Sequence, residues 1–206
     1  MAWALYLTHP QVQVDPDVPV PQWGLSRTGR ERAALLGASP WLGNITRIVS
    51  SAETKAVETA EILAAPLGVT VEVVDAMYEN DRSATGFLPP PQFEAAADRF
   101  FAEPETSFRG WERAVDAQAR IVAAVERVLD GHDPSGPLLF VGPGGVGTLL
   151  KCAIAGRRID RSEDQGPGGG GMLFGFDLVN RRLLCDWTPI ESFGDLPWKT
   201  PPPGTA

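Results

Sequence analysis

The chain has 206 residues, of which 43% are hydrophobic and 21% charged, and its formal net charge at pH 7 is −8. These values are typical of an ordinary globular protein of little more than one domain, and they exclude a disordered, collagen-like or fibrous chain. The acidic balance, with no Lys/Arg cluster, argues against nucleic acid as a partner. No run of about 20 apolar residues predicts a membrane span, and the first ten residues lack the charged region of a signal peptide. We therefore expect a cytoplasmic protein with no membrane partner.

The first part of the chain alternates apolar strands with helical segments. Residues 3–7 are bulky and apolar, which favours a buried strand, and Pro10 prevents its continuation. A capping box at Thr28 to Glu31 predicts the start of a helix, for which Gly37 is a plausible end. The other elements predicted here are a surface excursion at 10–24, a strand at 45–50, a helix at 51–65 and a strand at 69–74.

The second part of the chain continues this alternation. Apolar residues between 111 and 129 recur with a period near 3.6, which predicts a long amphipathic helix. The other predicted elements are a loop at 79–91, a helix at 92–102, a strand at 138–141, a helix at 147–155 and strands at 172–178 and 182–187. This order predicts a three-layer α/β/α sandwich around a mostly parallel sheet. We expect a single domain at 1–196 and a flexible proline-rich tail at 197–206.

The sequence GPGGVG at 142–147 is the most conspicuous local motif, and it lies between a predicted strand and a predicted helix. It fits the GxGxxG pattern, but only about 60 residues follow, too few to complete a dinucleotide-binding sheet. It also lacks the Lys and Ser/Thr of a P-loop, because Thr148 and Leu149 come next. A tight strand-to-helix turn is favoured instead, and its amides suit an anion at the helix N-terminus.

Five segments, in the right order and spacing, resemble the motifs of the histidine phosphatase (phosphoglycerate-mutase-like) superfamily. They are THP at 8–10 against the family's RHG, LSRTGRERA at 25–33 against LTxxGxxQA, SSAETKAVETA at 50–60 against SSPLxRAxxTA, MYE at 77–79 against LxE, and VGPGGV at 141–146 against VxHGGV. The resemblance implies a phosphoglycerate-mutase-like fold and phosphoryl transfer through a phosphohistidine. It implies a phosphorylated small molecule or inorganic phosphate as the ligand. No metal or nucleotide cofactor is expected, since the two cysteines have no metal-binding spacing.

The resemblance also assigns roles to particular residues. His9 takes the place of the nucleophile and Glu79 that of the acid, while Thr8 and Lys55 replace two phosphate-binding arginines. Pro143 stands where the family has its second histidine. A structural histidine at a strand end and a solvated loop carboxylate are the alternatives for the first two.

Two further candidates for phosphate binding come from position in the chain. Gly144 lies in the glycine-rich turn, and Arg82 lies in a loop from which it can reach an anion. A solvated surface charge is the alternative for Arg82. We expect phosphate to bind where the end of the first strand meets the turns at 51–55 and 142–147.

The departures from the family pattern leave two functions open. Lys55 keeps a charge without the bidentate fork of arginine, Thr8 loses a charge, and Pro143 offers neither a side-chain donor nor an N–H. Losing one transition-state donor typically costs ~10²–10³ in rate. We therefore expect either a divergent, weak phosphomonoesterase acting through His9, or a non-catalytic pseudophosphatase that binds a phosphorylated ligand or partner.

Overall fold

Six strands form one mixed sheet in the computed structural model, which describes residues 2–195. The strands are β1 (Trp3–Thr8), β2 (Arg47–Ser50), β3 (Val71–Val73), β4 (Leu138–Gly142), β5 (Met172–Asp177) and β6 (Leu183–Pro189). Their order across the sheet is β3-β2-β4-β1-β5-β6. The first four in this order are parallel, whereas β5 is antiparallel to both of its neighbours. The proline-rich tail predicted at 197–206 lies outside the described residues.

Helices cover both faces of this sheet. They are α1 (Arg27–Gly37), α2 (Thr54–Ala64), α3 (Pro90–Ala102), α4 (Ala114–Asp130) and α5 (Gly144–Ala155). Side chains of β1 alternate between the two faces: Ala4 and Tyr6 pack with α3, α4 and α5, whereas Leu5 and Leu7 pack with α1 and α2. Short 3₁₀ segments lie at Val20–Gln22, Pro40–Asn44, Ala65–Leu67, Asp75–Met77, Arg161–Glu163 and Ile190–Asp195. The predicted α/β/α sandwich with a mostly parallel sheet is confirmed.

The capping box predicted at Thr28 to Glu31 is wrong. The N-cap of α1 is Ser26, whose Oγ accepts a hydrogen bond of 3.1 Å from the Gly29 amide. Thr28 therefore lies within the first turn, and Glu31 pairs with Arg27 on the surface of the helix. The expected end at Gly37 is confirmed.

Helix α5 begins at Gly144, three residues before the predicted start at 147. Pro143 is its N-cap, with the extended backbone angles φ −73° and ψ 162°. The amides of Gly145 and Val146 donate to the carboxylate of Glu79, which belongs to a loop 66 residues earlier. This acceptor satisfies amides that a helix start otherwise leaves unpaired. A tertiary contact therefore accompanies the earlier start.

The carboxyl ends of β1, β4 and β2 lie side by side. Thr8 is in register with Gly142, and Ser50 with Val141. Just beyond the strands, the His9 amide donates to the Gly142 carbonyl at 3.1 Å. Residues that follow these three strands therefore meet at one edge of the sheet, which is where open α/β sheets bind ligands.

Candidate active site

His9 follows β1 and is half-buried at this edge. Its Nδ1 lies 3.0 Å from the Pro10 carbonyl oxygen. Since a carbonyl only accepts, this nitrogen carries the proton, and the lone pair is left on Nε2. Burial, followed by the charge of Lys55, lowers the pKa of His9 from 6.5 to about 4. The imidazole is therefore neutral at pH 7, which is the state that a histidine nucleophile requires.

Lys55, in the first turn of α2, is 4% exposed. Its ammonium pairs with the carboxylate of Glu53 and donates to the Val20 carbonyl at 2.9 Å. Glu53 is 6% exposed, and its Oε1 also accepts from the Glu79 amide at 2.8 Å. The carboxylate therefore balances the charge of Lys55 and ties α2 to the loop that carries Glu79.

Glu53 was not among the residues predicted for the site. It stands in the 50–60 segment where the quoted family pattern has an apolar leucine. A carboxylate at an apolar motif position, two residues before the cation, was the available signal. Buried charges in proteins are generally paired, so this acid required a nearby cation.

Glu79, the predicted acid, lies half-buried against the start of α5. Its two oxygens accept from the amides of Gly145 and Val146, each at 2.9 Å. A Cβ at position 145 would lie 2.6 Å from Glu79 Oε1, so a side chain there would displace the carboxylate from the turn. The acid and the glycine-rich turn form one unit, in which Glu79 does not bind the amide of Gly144.

Thr8 and Gly144 meet through a residue that sequence reasoning missed. Thr8 is fully buried; its hydroxyl accepts from the Met172 amide at 3.0 Å and donates to Gln165 Oε1 at 2.7 Å. The Nε2 atom of Gln165 lies 2.1 Å from the position that a Cβ on Gly144 would occupy. The Gln165 amide group therefore lies between the end of β1 and the start of α5. No sequence signal marks it, because 157 residues separate it from Thr8.

Arg82 lies on an aromatic surface in the loop after Glu79. Its guanidinium carbon is 5.1 Å from the ring centroid of Phe93 and 5.6 Å from that of Trp111. Its charge contributes to the lowered pKa of His9, so it acts electrostatically on that imidazole. Within residues 2–195 no carboxylate forms an ion pair with it. This leaves Arg82 as a cation available to an anion.

Pro143 lies buried at the turn before α5, and its carbonyl accepts from the Tyr6 hydroxyl at 2.9 Å.

The structure brings His9, Lys55, Glu79 and Arg82 into one electrostatic group. The roles of all the candidate residues in phosphate chemistry stay predictions.

Two cavities lie elsewhere. One of about 410 Å³ is lined by residues that include Phe101 and Arg158, and one of about 180 Å³ by residues that include His132 and Arg181. None of the six predicted site residues lines either cavity. Over residues 2–195 there is no group of three potential metal-binding side chains, and no helix is long and apolar enough to cross a membrane.

The lowered pKa of His9 makes a prediction about stability. An unfolded histidine binds its proton near pH 6.5 and folded His9 near pH 4, so between these values the unfolded state holds more protons. The free energy of unfolding should therefore fall as the pH drops from 6.5 to 4, by up to about 3 kcal/mol from this group. Urea denaturation at several pH values measures the slope. His9→Ala should remove this part of the slope, and an unchanged slope would contradict the environment described for His9.

Comparison with known proteins places this geometry in context. The family model described as histidine phosphatase superfamily (branch 1) matches residues 7–167. Mycobacterial glucosyl-3-phosphoglycerate phosphatase Rv2419c, solved with inorganic phosphate, is similar over 91% of this chain and 95% of its own, at 21% identity and a TM-score of 0.72. YhfR of Bacillus stearothermophilus is similar over 88% of this chain and 93% of its own, at 21% identity and a TM-score of 0.70. A putative alpha-ribazole-5'-P phosphatase from Escherichia coli is similar over 92% of this chain and 98% of its own, at 14% identity and a TM-score of 0.72.

At these identities the solved structures support the fold alone. A search of curated protein sequences found no match to the chain.

Proposed function

Since the chain belongs to the histidine phosphatase superfamily, we propose that it is a phosphomonoesterase that forms a phosphohistidine at His9 and has weak activity. The observation that carries this proposal is the state of His9. Its imidazole is neutral, its Nδ1–H is held by the Pro10 carbonyl, and its Nε2 retains the lone pair. This arrangement suits a nucleophile.

The proposed reaction has two steps. In the first, the Nε2 lone pair of His9 attacks phosphorus, the ester P–O bond breaks, and the leaving oxygen takes a proton from Glu79 in its acid form. In the second, Glu79 accepts a proton from water as the water oxygen attacks phosphorus and the P–N bond breaks. Inorganic phosphate is released and the neutral imidazole returns. Lys55 and Arg82 supply positive charge to the phosphoryl oxygens.

The weakness of the activity is proposed on charge grounds. The carboxylate of Glu53 balances the charge of Lys55. This site therefore offers a phosphoryl group less net positive charge than a site with two arginines would offer. Pro143 adds no side-chain donor. Removal of one such donor costs ~10²–10³ in rate, and several losses do not simply add.

The test is turnover of an aryl phosphate by the full chain. We expect slow hydrolysis by the wild-type protein and none above background by His9→Ala. His132→Ala is the matched control, because His132 is the other histidine and its Nε2 lies 2.7 Å from the Gly136 carbonyl oxygen in a different loop. Equal rates for wild type and His9→Ala would remove the enzymatic proposal at this site.

A second candidate function is binding of a phosphorylated ligand or partner without turnover. The observations that favour it are the ion pair between Lys55 and Glu53 and the proline at position 143. Vanadate or phosphate binding measured by calorimetry, with no hydrolysis of any aryl phosphate, would support this pseudophosphatase instead. The solved structures of the mycobacterial phosphatase with inorganic phosphate and with VO3 make these anions suitable probes.

A cytoplasmic location stays a prediction that fractionation of cells would test.

A further inference from the structure

We propose that Gln165 binds a phosphoryl oxygen at this site, as a neutral donor in the position between Thr8 and the start of α5. The proposal rests on the phosphate-binding part of the function proposed above and adds a residue to it. No segment of the family pattern quoted for this chain contains position 165.

The first argument is the orientation of the Gln165 side chain. The Thr8 hydroxyl donates to its Oε1 at 2.7 Å, which occupies the acceptor end of the amide. The donor end, Nε2, faces Gly144 and has no hydrogen-bond acceptor among residues 2–195. An NH₂ group has two protons to donate, and a phosphoryl oxygen is an acceptor of the right chemistry.

The second argument is that the backbone holds Gln165 in place. The backbone N–H of Gln165 donates to Asp164 Oδ1 at 2.8 Å, and the same oxygen accepts from the Thr148 hydroxyl at 2.9 Å. Thr148 belongs to α5, so the loop carrying Gln165 is tied to the helix whose N-terminus it faces. The Gln165 side chain is fixed through its Oε1 and the main chain through its N–H. Binding an anion therefore requires little further ordering of this residue.

The third argument is the chemistry that this position lacks. Thr8 and Pro143 stand where the resemblance implies an arginine and a histidine, and the Gln165 amide lies beside Thr8 and Gly144. Gly144 is the first residue of α5 and its amide is not bound by Glu79, and amides at a helix N-terminus favour an anion. A neutral amide thus supplies hydrogen bonds where two cationic or polar donors are absent.

The experiment measures orthovanadate and inorganic phosphate binding by isothermal titration calorimetry on the full chain. Gln165→Met keeps the length and removes the donors, and we expect it to weaken binding about 10- to 100-fold, the range for a hydrogen bond to a charged group. Gln165→Glu should weaken binding further, because its carboxylate opposes the anion. Since a carboxylate still accepts from the Thr8 hydroxyl, this second variant retains the contact that supports folding.

Gln118→Met is the matched control. Gln118 donates its Nε2 to the Leu149 carbonyl of the same helix α5 at 2.9 Å, in its middle and not at its start. We expect this variant to bind vanadate as the wild type does. Circular dichroism and thermal unfolding of each variant show whether it is folded, and if Gln165→Met is not, Gln165→Glu decides the result.

The outcomes separate this proposal from the proposed catalysis. Wild-type or tighter vanadate binding by both Gln165 variants would overturn the role of Gln165 and leave phosphohistidine chemistry at His9 standing. Weakened binding by these variants, with no aryl phosphatase activity in the wild type, would support Gln165 and overturn catalysis. A wild-type protein that binds neither anion would overturn both.

Discussion

We expect the combined variant Thr8→Arg, Pro143→His and Gln165→Ala to hydrolyse aryl phosphates at least ten times faster than the wild type. Each of the first two changes returns a donor directed at charge on the transferring phosphoryl group. A single donor of this kind is worth about 3 kcal/mol of transition-state stabilisation, and ten-fold needs only about 1.4 kcal/mol. Initial rates with an aryl phosphate, compared across the variants, measure the gain.

The third change follows from the structure and not from the family pattern. Thr8 is fully buried and its hydroxyl contacts Gln165, so an introduced guanidinium requires the space that the Gln165 side chain fills. Removing that side chain also removes its donors, which the guanidinium replaces. We therefore expect the double variant Thr8→Arg and Pro143→His, with Gln165 retained, to gain less than the triple variant.

The backbone at position 143 accepts this substitution. Its φ and ψ are in the extended region that any residue adopts, and the Tyr6 hydroxyl bonds to its carbonyl and not to its ring. Adding His9→Ala to the triple variant should abolish the gain, since the nucleophile is then missing. A folded triple variant with no gain would mean that the site no longer has catalytic geometry, and would favour the pseudophosphatase.

We expect Lys55→Met to lower the free energy of unfolding by about 3–5 kcal/mol, the usual cost of breaking a buried ion pair on one side. Glu53 is 6% exposed, and without Lys55 its carboxylate would be a buried charge whose remaining hydrogen bond comes from the Glu79 amide. Urea denaturation of the purified variants measures the change. The large cost would come from the unpaired acid and not from the loss of the lysine itself.

The double variant Glu53→Gln and Lys55→Met tests this reasoning. Glutamine keeps an oxygen to accept from the Glu79 amide and carries no charge, so we expect the double variant to recover most of the lost stability. Arg27→Met is the matched control, because Arg27 forms its ion pair with Glu31 on the exposed surface of α1, where such a loss costs at most about 1 kcal/mol. If Lys55→Met costs no more than Arg27→Met, the pair does not have the buried character described.

The sequence by itself determined the family, the α/β/α architecture and the edge of the sheet where the candidate residues meet. These follow from local patterns. Alternating apolar strands and amphipathic helices predict the layers, and the order of five motifs identifies the superfamily. Because parallel strands end at the same edge, motifs that follow β1, β2 and β4 had to meet there. The placement of His9 and Lys55 near one another was predictable for this reason.

The tertiary structure alone decided which groups occupy the site and how they are paired. Gln165 contacts Thr8, which is 157 residues away in the chain. Glu79 accepts from an amide at the start of α5, 66 residues away. Glu53 pairs with Lys55 and accepts from the Glu79 amide. None of these contacts leaves a periodic pattern or a fixed spacing in the sequence. A hydrogen bond or an ion pair between distant segments depends on how the chain folds back on itself. The start of α5 at Gly144 differs from the local expectation because backbone amides there pair with an acceptor that the fold brings within reach. The cap at Ser26 is a local contact with the Gly29 amide, three residues along the chain.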